Sequence, residues 1–426
     1  MNIKNRNFNP ESKNWKLNLP AFEMFQTANG IEVYTMESSK PGLVYIELVF
    51  KNGRTTETKK LAARVTANQI LEGNEKLNAN DIADQFDYCG AHYSIHADLD
   101  YTNVSVSCLQ KHFKSLISFV VDIILNASFK AENLEKSKKS YVSQLSHQLT
   151  EPDFVSYREF TEHVYGKDHP YGYNSSKEFF ENLTSDDLIA YHHANYLANN
   201  LKVFYCGECW SGMDLFFEEM FTSIPNRELL PKQPFIHTNP IVLQKHIPMD
   251  HCMQTSLKFG KKMFAKTHPD FFSCYIVNAI LGDFFGSRLM KNIREEKGFT
   301  YDIHSTLDAQ VYDGCFYIGA ELSPEFLEKT IYEIKKELKI LREHEILKAE
   351  LDMVKNYLHG HILRLLDGSF QSILFLKILL SEYGSTDKLP QLLSTIRDIT
   401  AHQICEMAGQ YLKEDQMSII TAGAKL

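Results

Sequence analysis

Five of the 13 prolines in this chain, Pro225, Pro231, Pro234, Pro240 and Pro248, fall in one short stretch near its middle. Proline has no amide donor and a fixed φ, so no regular helix runs through such a stretch, which reads as an extended connector. It divides the 426 residues into parts of similar length, residues 1–221 and 251–426 joined by 222–250. A chain this long suits two or more domains. Each part opens with the same order of elements. Val44 to Phe50 has the pattern of a buried strand, followed by a polar turn at Asn52-Gly53 and a helix from about Lys60 to Leu71. Gln254 to Phe259 is again a strand, and a helix follows from about Asp270 to Leu281. We read a duplicated α+β unit, repeated in its elements and not in its identities.

Other elements are legible locally. Leu116, Phe119, Val120, Ile123 and Ile124 form one apolar helix face. Thr184 and Asp187 have the spacing of a capping box ahead of a helix over Leu188 to Tyr196, and the strand Lys202 to Tyr205 follows. Ser323-Pro324 is a cap and first-turn pair opening a helix with Leu327, Ile331, Ile334, Leu338 and Leu341 on one side.

The segment Ser287 to Tyr301 carries the chemistry. Leu289 and Ile293 give a helical stripe, Gly298 is suited to a left-handed stop, and Tyr301 opens an alternating run through Ile303 and Ser305. A helix, stop and strand in this order can aim the Arg294 guanidinium and the Tyr301 phenol at one point, where such a pair would donate to a carbonyl oxygen that turns negative during peptide hydrolysis. An Arg and a Tyr at this spacing are a weak signal alone. Their frame is specific: Leu281-Gly282-Asp283-Phe284-Phe285-Gly286-Ser287-Arg288-Leu289, then Ile293-Arg294-Glu295, Gly298 and Tyr301. This resembles the C-terminal half of the pitrilysin/insulinase family of zinc peptidases, the family that includes mitochondrial processing peptidase. The resemblance covers about Phe22 to Ala422 and is strongest in the second half. It implies two tandem homologous α/β domains, each turning a sheet toward a shared cavity, with Arg294 and Tyr301 pointing into it as the catalytic pair.

The family's metal motif is an inverted zincin, H-x-x-E-H, on a helix of the first half. Aligned on Gly73-Asn74-Glu75-Lys76, this chain has Arg64 and Asn68 at the histidine positions and Ala67 at the position of the general base. The third ligand position falls at Gln144 or Leu145. The resemblance therefore implies no metal and no other cofactor in this chain, with zinc supplied by a partner subunit. Arg64 would itself repel a divalent cation. The alternating run from Gly90 to Thr102 matches the family's edge strand, which pairs with the substrate backbone from an Asn-Ala pair. Here that pair is Ser94-Ile95, followed by His96, so these three are the expected substrate-binding positions; the competing reading is an ordinary sheet edge.

Composition excludes other classes. A formal net charge of −9 argues against a nucleic-acid partner. No apolar run is long enough for a membrane span, and Met1 to Pro10 has no apolar core of a signal peptide. The eight cysteines, mostly inside apolar segments, suit reduced thiols and a cytoplasmic location. Cys206 and Cys209 form a lone C-x-x-C without the further ligands that zinc needs. His92 and His96 share a strand face and read as a paired or solvated face more readily than as ligands. His192-His193 reads as half exposed, His359 and His361 lie in a helical context, and Glu343-His344-Glu345 reads as a solvated helix end.

These readings lead to a non-metal subunit of a two-chain zinc peptidase, a heterodimer with a zinc-bearing homologue or a homodimer. It would be inactive alone and would supply Arg294 and Tyr301 to hydrolysis of a peptide substrate. The alternative is a catalytically inactive homologue acting as a scaffold or peptide-binding protein. A third reading is a self-sufficient peptidase with unfamiliar ligands such as His92 and His96.

Overall fold

The computed structural model describes residues 17–38, 40–228, 235 and 240–425. Two of the connector prolines, Pro231 and Pro234, lie outside the described residues. The first half builds a six-stranded sheet from β1 (Glu23–Gln26), β2 (Glu32–Glu37), β3 (Leu43–Phe50), β4 (His92–Ala97), β5 (Thr102–Leu109) and β6 (Leu201–Gly207), in the order β1-β2-β6-β3-β5-β4. The second half builds a five-stranded sheet from β7 (Gln244–Pro248), β8 (Thr255–Met263), β9 (Thr300–Ala309), β10 (Gly314–Leu322) and β11 (Ser418–Gly423), in the order β7-β11-β8-β10-β9. β2 runs parallel to β6 and β7 parallel to β11, while the remaining neighbours are antiparallel. Setting β1 aside, the two orders superimpose strand for strand, so the unit is duplicated in topology.

The repeat begins one strand earlier than the sequence suggested, at β2 and β7. β7 falls inside the stretch read as a connector. Pro248 is compatible with it because β7 is an edge strand, where a missing amide disrupts less of the ladder.

The locally legible helices form where expected. Ala62–Gln69 continues into a 3-10 turn at Ile70–Glu72, and Phe271–Leu281 follows β8. Thr184 and Asp187 complete the capping box of Ser185–Asn195, the Thr184 amide donating to the Asp187 carboxylate at 2.8 Å. Leu116, Val120, Ile123 and Ile124 are buried on helix Gln110–Leu125, with Phe119 packed beside them. All five expected residues of helix Leu327–Glu343 are buried. Its start differs in detail: Pro324–Phe326 is a 3-10 turn, and the Ser323 side chain makes no capping bond.

Each sheet packs one face on its own helices. Val44, Ile46, Leu48 and Phe50 of β3 and Val203 and Tyr205 of β6 enter the first core. Leu257, Phe259, Phe316, Ile318 and Ala320 enter the second. The opposite faces are covered crosswise. Tyr34, Met36, Val49, Phe204 and Cys206 of the first sheet meet Ile373 and Leu376 of helix Ser369–Glu382. Cys315 and Ile420 of the second sheet meet Phe160, Val164 and Tyr165 of helix Pro152–Tyr165. The sheets thus turn toward the opposite half as the resemblance implies, but a helix of that half fills the middle of each. A cavity of about 360 Å³ remains at the junction, with Leu99, Asp100 and Tyr101 on one side and Lys266, Gln310 and Lys377 on the other.

A charge pair accompanies each crossover. Glu47 on β3 meets Lys377 of the Ser369 helix at 2.9 Å, and Lys258 on β8 meets Asp153 of the Pro152 helix. Glu47 stands opposite Phe204 of β6 and Lys258 opposite Ile420 of β11. Phe204 and Ile420 are equally placed before Gly207 and Gly423, where each parallel pairing ends. The same register position therefore carries an acid in one repeat and a base in the other, both buried.

Candidate functional site

Arg294 lies in a π-helical turn, Met290–Glu296, and not in the regular α-helix that Leu289 and Ile293 suggested. Wide turns of this kind recur at functional sites. Leu289 and Ile293 are both buried, so the apolar signal was sound although the winding differs. Buried polar contacts hold the turn: Asn292 Nδ2 donates to the carboxylates of Glu333 at 3.2 Å and Glu337 at 2.7 Å, and Lys297 lies 3.3 Å from Glu333. Burial alone would raise the Glu333 carboxyl, but the Asn292 and Lys297 bonds hold it below its ordinary value. Gly298 ends the turn at φ +66°, the left-handed stop expected there. Arg288, part of the motif frame, is structural: its Nε and Nη2 donate to Glu350 at 2.7 and 2.8 Å.

β9 opens with an irregularity that sets the direction of Tyr301. Thr300 pairs with Leu322 and Asp302 with Glu321, leaving Tyr301 as the extra residue of a β-bulge. The Thr300 hydroxyl donates to the Glu321 carbonyl and pins the irregularity. Strict alternation would place Tyr301 on the face of Ile303 and Ser305, which are buried. The bulge turns it out instead, as such bulges do beside functional sites, and it is 88% exposed. Among the described residues its phenol makes no hydrogen bond. Arg294 is half-buried, its guanidinium 5.1 Å from the ring centre of the exposed Phe285.

The positions at which the resemblance expects the metal motif form a second, separate group. Ala67 is fully buried. Asn68 Nδ2 donates to the Tyr141 hydroxyl at 2.9 Å, and the Arg64 guanidinium lies 5.7 Å from the same ring. Tyr141 stands on helix Ala131–Gln148, which also carries Gln144 and Leu145. These side chains offer no imidazole, thiolate or carboxylate, and the space is taken by a ring and a cation, so the residues present do not fit zinc. Among the described residues no group of three or more His, Cys, Asp or Glu is placed to hold a metal. Arg64, Tyr141, Gln144 and Leu145 share the lining of a cavity of about 370 Å³, to which neither Arg294 nor Tyr301 contributes.

Glu57 escaped the sequence reading. Its carboxylate accepts the amides of Leu61 at 3.2 Å and Ala63 at 2.8 Å and the Tyr173 hydroxyl. It thereby caps the motif helix where Leu61 adopts φ +73°. Burial pushes the carboxyl up to about 7, against the lowering effects of Tyr173, Arg54 and the two amides. An acidic residue just ahead of a helix start was the available signal.

β4 is an edge strand of the first sheet, pairing with β5. His92, Ser94 and His96 are exposed on one face and Ile95 is buried on the other. His96 Nε2 lies 2.8 Å from Asp98 Oδ1, a local ion-pair geometry. Of the pair His192-His193, His193 is exposed and His192 is buried: its Nε2 is 2.7 Å from the Ile124 carbonyl, and burial pushes its pKa down to about 4. His359 is also buried, whereas His344 is exposed at its helix end. All eight cysteines are free, Cys206 within the first sheet and Cys209 exposed.

The duplicated two-sheet fold meets its counterpart in comparisons with known proteins. Residues 33–169 match the family model described as Insulinase (Peptidase family M16), and residues 182–358 match Peptidase M16 inactive domain. The chain belongs to peptidase family M16. The second match contains both Arg294 and Tyr301. The chain is 20% identical to an uncharacterized zinc protease of Bacillus subtilis, over 91% of this chain and 95% of that protein. It is 22% identical to a Helicobacter pylori protein called a non-peptidase homolog, over 74% of each. The crystal structure of a peptidase M16 inactive domain from Pseudomonas fluorescens shares the fold, with a TM-score of 0.86 and 23% identity over 95% of this chain and 98% of that one. Among the described residues no helix is long and apolar enough to cross a membrane.

Proposed function

We propose that this chain is the non-metal subunit of a two-chain M16 peptidase. A homologous partner holds the zinc, and Arg294 and Tyr301 donate to the oxyanion that forms on the scissile carbonyl of a peptide. The observation that carries the reading is the bulge at Tyr301. It presents an uncommitted phenol to solvent just after the turn that carries Arg294, which a purely structural residue does not need. The filled positions Arg64, Ala67 and Asn68 support placing the metal on another chain. β4, an exposed edge, supports substrate pairing along Ser94, Ile95 and His96. Free thiols at all eight cysteines support a reducing, cytoplasmic setting.

The test is reconstitution with a zinc-bearing M16 homologue from the same genome. The complex should cleave peptides and the chain alone should not. Tyr301→Phe should lower turnover by about two orders of magnitude, the effect of losing one oxyanion donor, with assembly intact. Full activity after removal of both clamp side chains would favour the scaffold reading, which the non-peptidase name of the Helicobacter relative also supports.

A further inference from the structure

The cavity behind the motif helix has a one-sided charge. Three of its lining residues are arginines, Arg54, Arg64 and Arg158, and none is Asp or Glu. This stands out in a chain of net charge −9. Two of the guanidiniums are oriented by neutral partners that leave their charge uncancelled. Arg54 Nη1 donates to the carbonyls of Pro170 at 3.2 Å and Tyr173 at 3.1 Å, and the group stacks 4.2 Å from the Tyr173 ring centre. Arg158 Nη2 donates to the Ser175 carbonyl at 3.0 Å. Arg64 has only the Tyr141 ring, and among the described residues it makes no hydrogen bond or ion pair. The acid on which Arg54 acts, Glu57, is already engaged by two amides and a phenol. Burial pushes its carboxyl up to about 7, against the lowering pull of Arg54. Glu159 and Glu162 attract Arg158 but do not line the cavity, and burial with repulsion from Arg54 leaves Arg158 below its ordinary pKa. An anion placed here would relieve that repulsion.

Position indicates the source of the anion. β4 ends at Ala97, and Leu99 in the turn just beyond it lines the cavity. The motif helix packs against β4. An extended peptide added along the β4 edge would therefore run toward the arginines. We propose that this cavity binds the C-terminal carboxylate of an extended peptide, with Arg64 as the direct contact and Arg54 and Arg158 as fixed supporting charge. A planar guanidinium with free donors is suited to bidentate capture of a carboxylate. The proposal deepens the reading of β4 as a peptide-pairing edge and is independent of the Arg294–Tyr301 clamp and of any partner's metal.

The test uses the intact chain and a fluorescein-labelled short peptide of alternating Ser and Val, made with a free C-terminal carboxylate and as the C-terminal amide. The free acid should bind about tenfold more tightly than the amide. Arg64→Ala and Arg64→Gln should each abolish that preference while leaving the melting temperature close to wild type. Inorganic phosphate should compete with the free acid in wild type only. Equal affinity for acid and amide, or a preference that survives both substitutions, would overturn the proposal. So would phosphate binding that depends on Arg64 without any binding of the free acid at millimolar concentration, which would assign the cavity to a free anion. Loss of the clamp's effect on turnover with this preference intact would instead sink the subunit reading and leave the cavity assignment standing.

Discussion

Tyr301 shows how much a single backbone irregularity decides. Its place in an alternating run predicts a residue turned toward the face of Ile303, and the bulge reverses this. That reversal depends on the pairing of Thr300 with Leu322, a contact invisible to local pattern. The same holds for Glu57, whose surroundings are assembled from the motif helix and the Tyr173 loop. Its carboxyl has an ordinary value of 4.5 and is raised to about 7 by burial. The folded state therefore holds this proton more tightly than the unfolded chain does. The Glu57 contribution favours folding below about pH 4.5 and is lost as the pH rises toward 7. Glu57→Gln should remove that component. Thermal melts of the two proteins between pH 4.5 and 7.5 should show the variant gaining on wild type as pH rises. A constant difference across the range would disprove a buried, raised carboxyl here.

Among the elements, those with a complete local signal were legible. The Thr184 box, the apolar stripe from Leu327 to Leu341 and the Gly298 stop each rest on residues within a turn or two of one another. β7 was not, because Gln244-Lys245-His246-Ile247-Pro248 has little strand character and is formed by its parallel pairing with β11 at the far end of the chain. The crossover helices were hidden for a related reason. Nothing within Ser369–Glu382 tells that its apolar side meets a sheet of the other half. Lys377 fixes that docking to Glu47, which is buried and also accepts the Tyr45 hydroxyl at 2.7 Å. Lys377→Met should cost about 3–5 kcal/mol, the range for stranding a buried charge. The double variant with Glu47→Gln should recover much of the loss. Urea melts of the single and double variants measure both, and additive losses would show that the two groups act separately.

For the whole molecule, the crosswise packing ties the halves into one cooperative body. Calorimetry of the full chain should give a single transition in which van't Hoff and calorimetric enthalpies agree. A fragment covering residues 17–228 would expose Tyr34, Met36, Val49 and Phe204, which helix Ser369–Glu382 covers in the full chain. It should bind a hydrophobic dye or associate, and a monomeric fragment with native-like melting would contradict the interlock. The amino-acid sequence by itself determined the duplicated α+β plan, the motif frame around Arg294 and Tyr301, and that Arg64, Ala67 and Asn68 stand where the resemblance expects two metal ligands and a general base. These depend on residue type and short-range spacing, which survive without coordinates. Only the tertiary structure decided which faces the helices cover, where β7 pairs, which way Tyr301 points and that Arg64 shares a pocket with Arg54 and Arg158. Each of those is set by contacts between residues far apart in the chain, whose geometry no local pattern encodes.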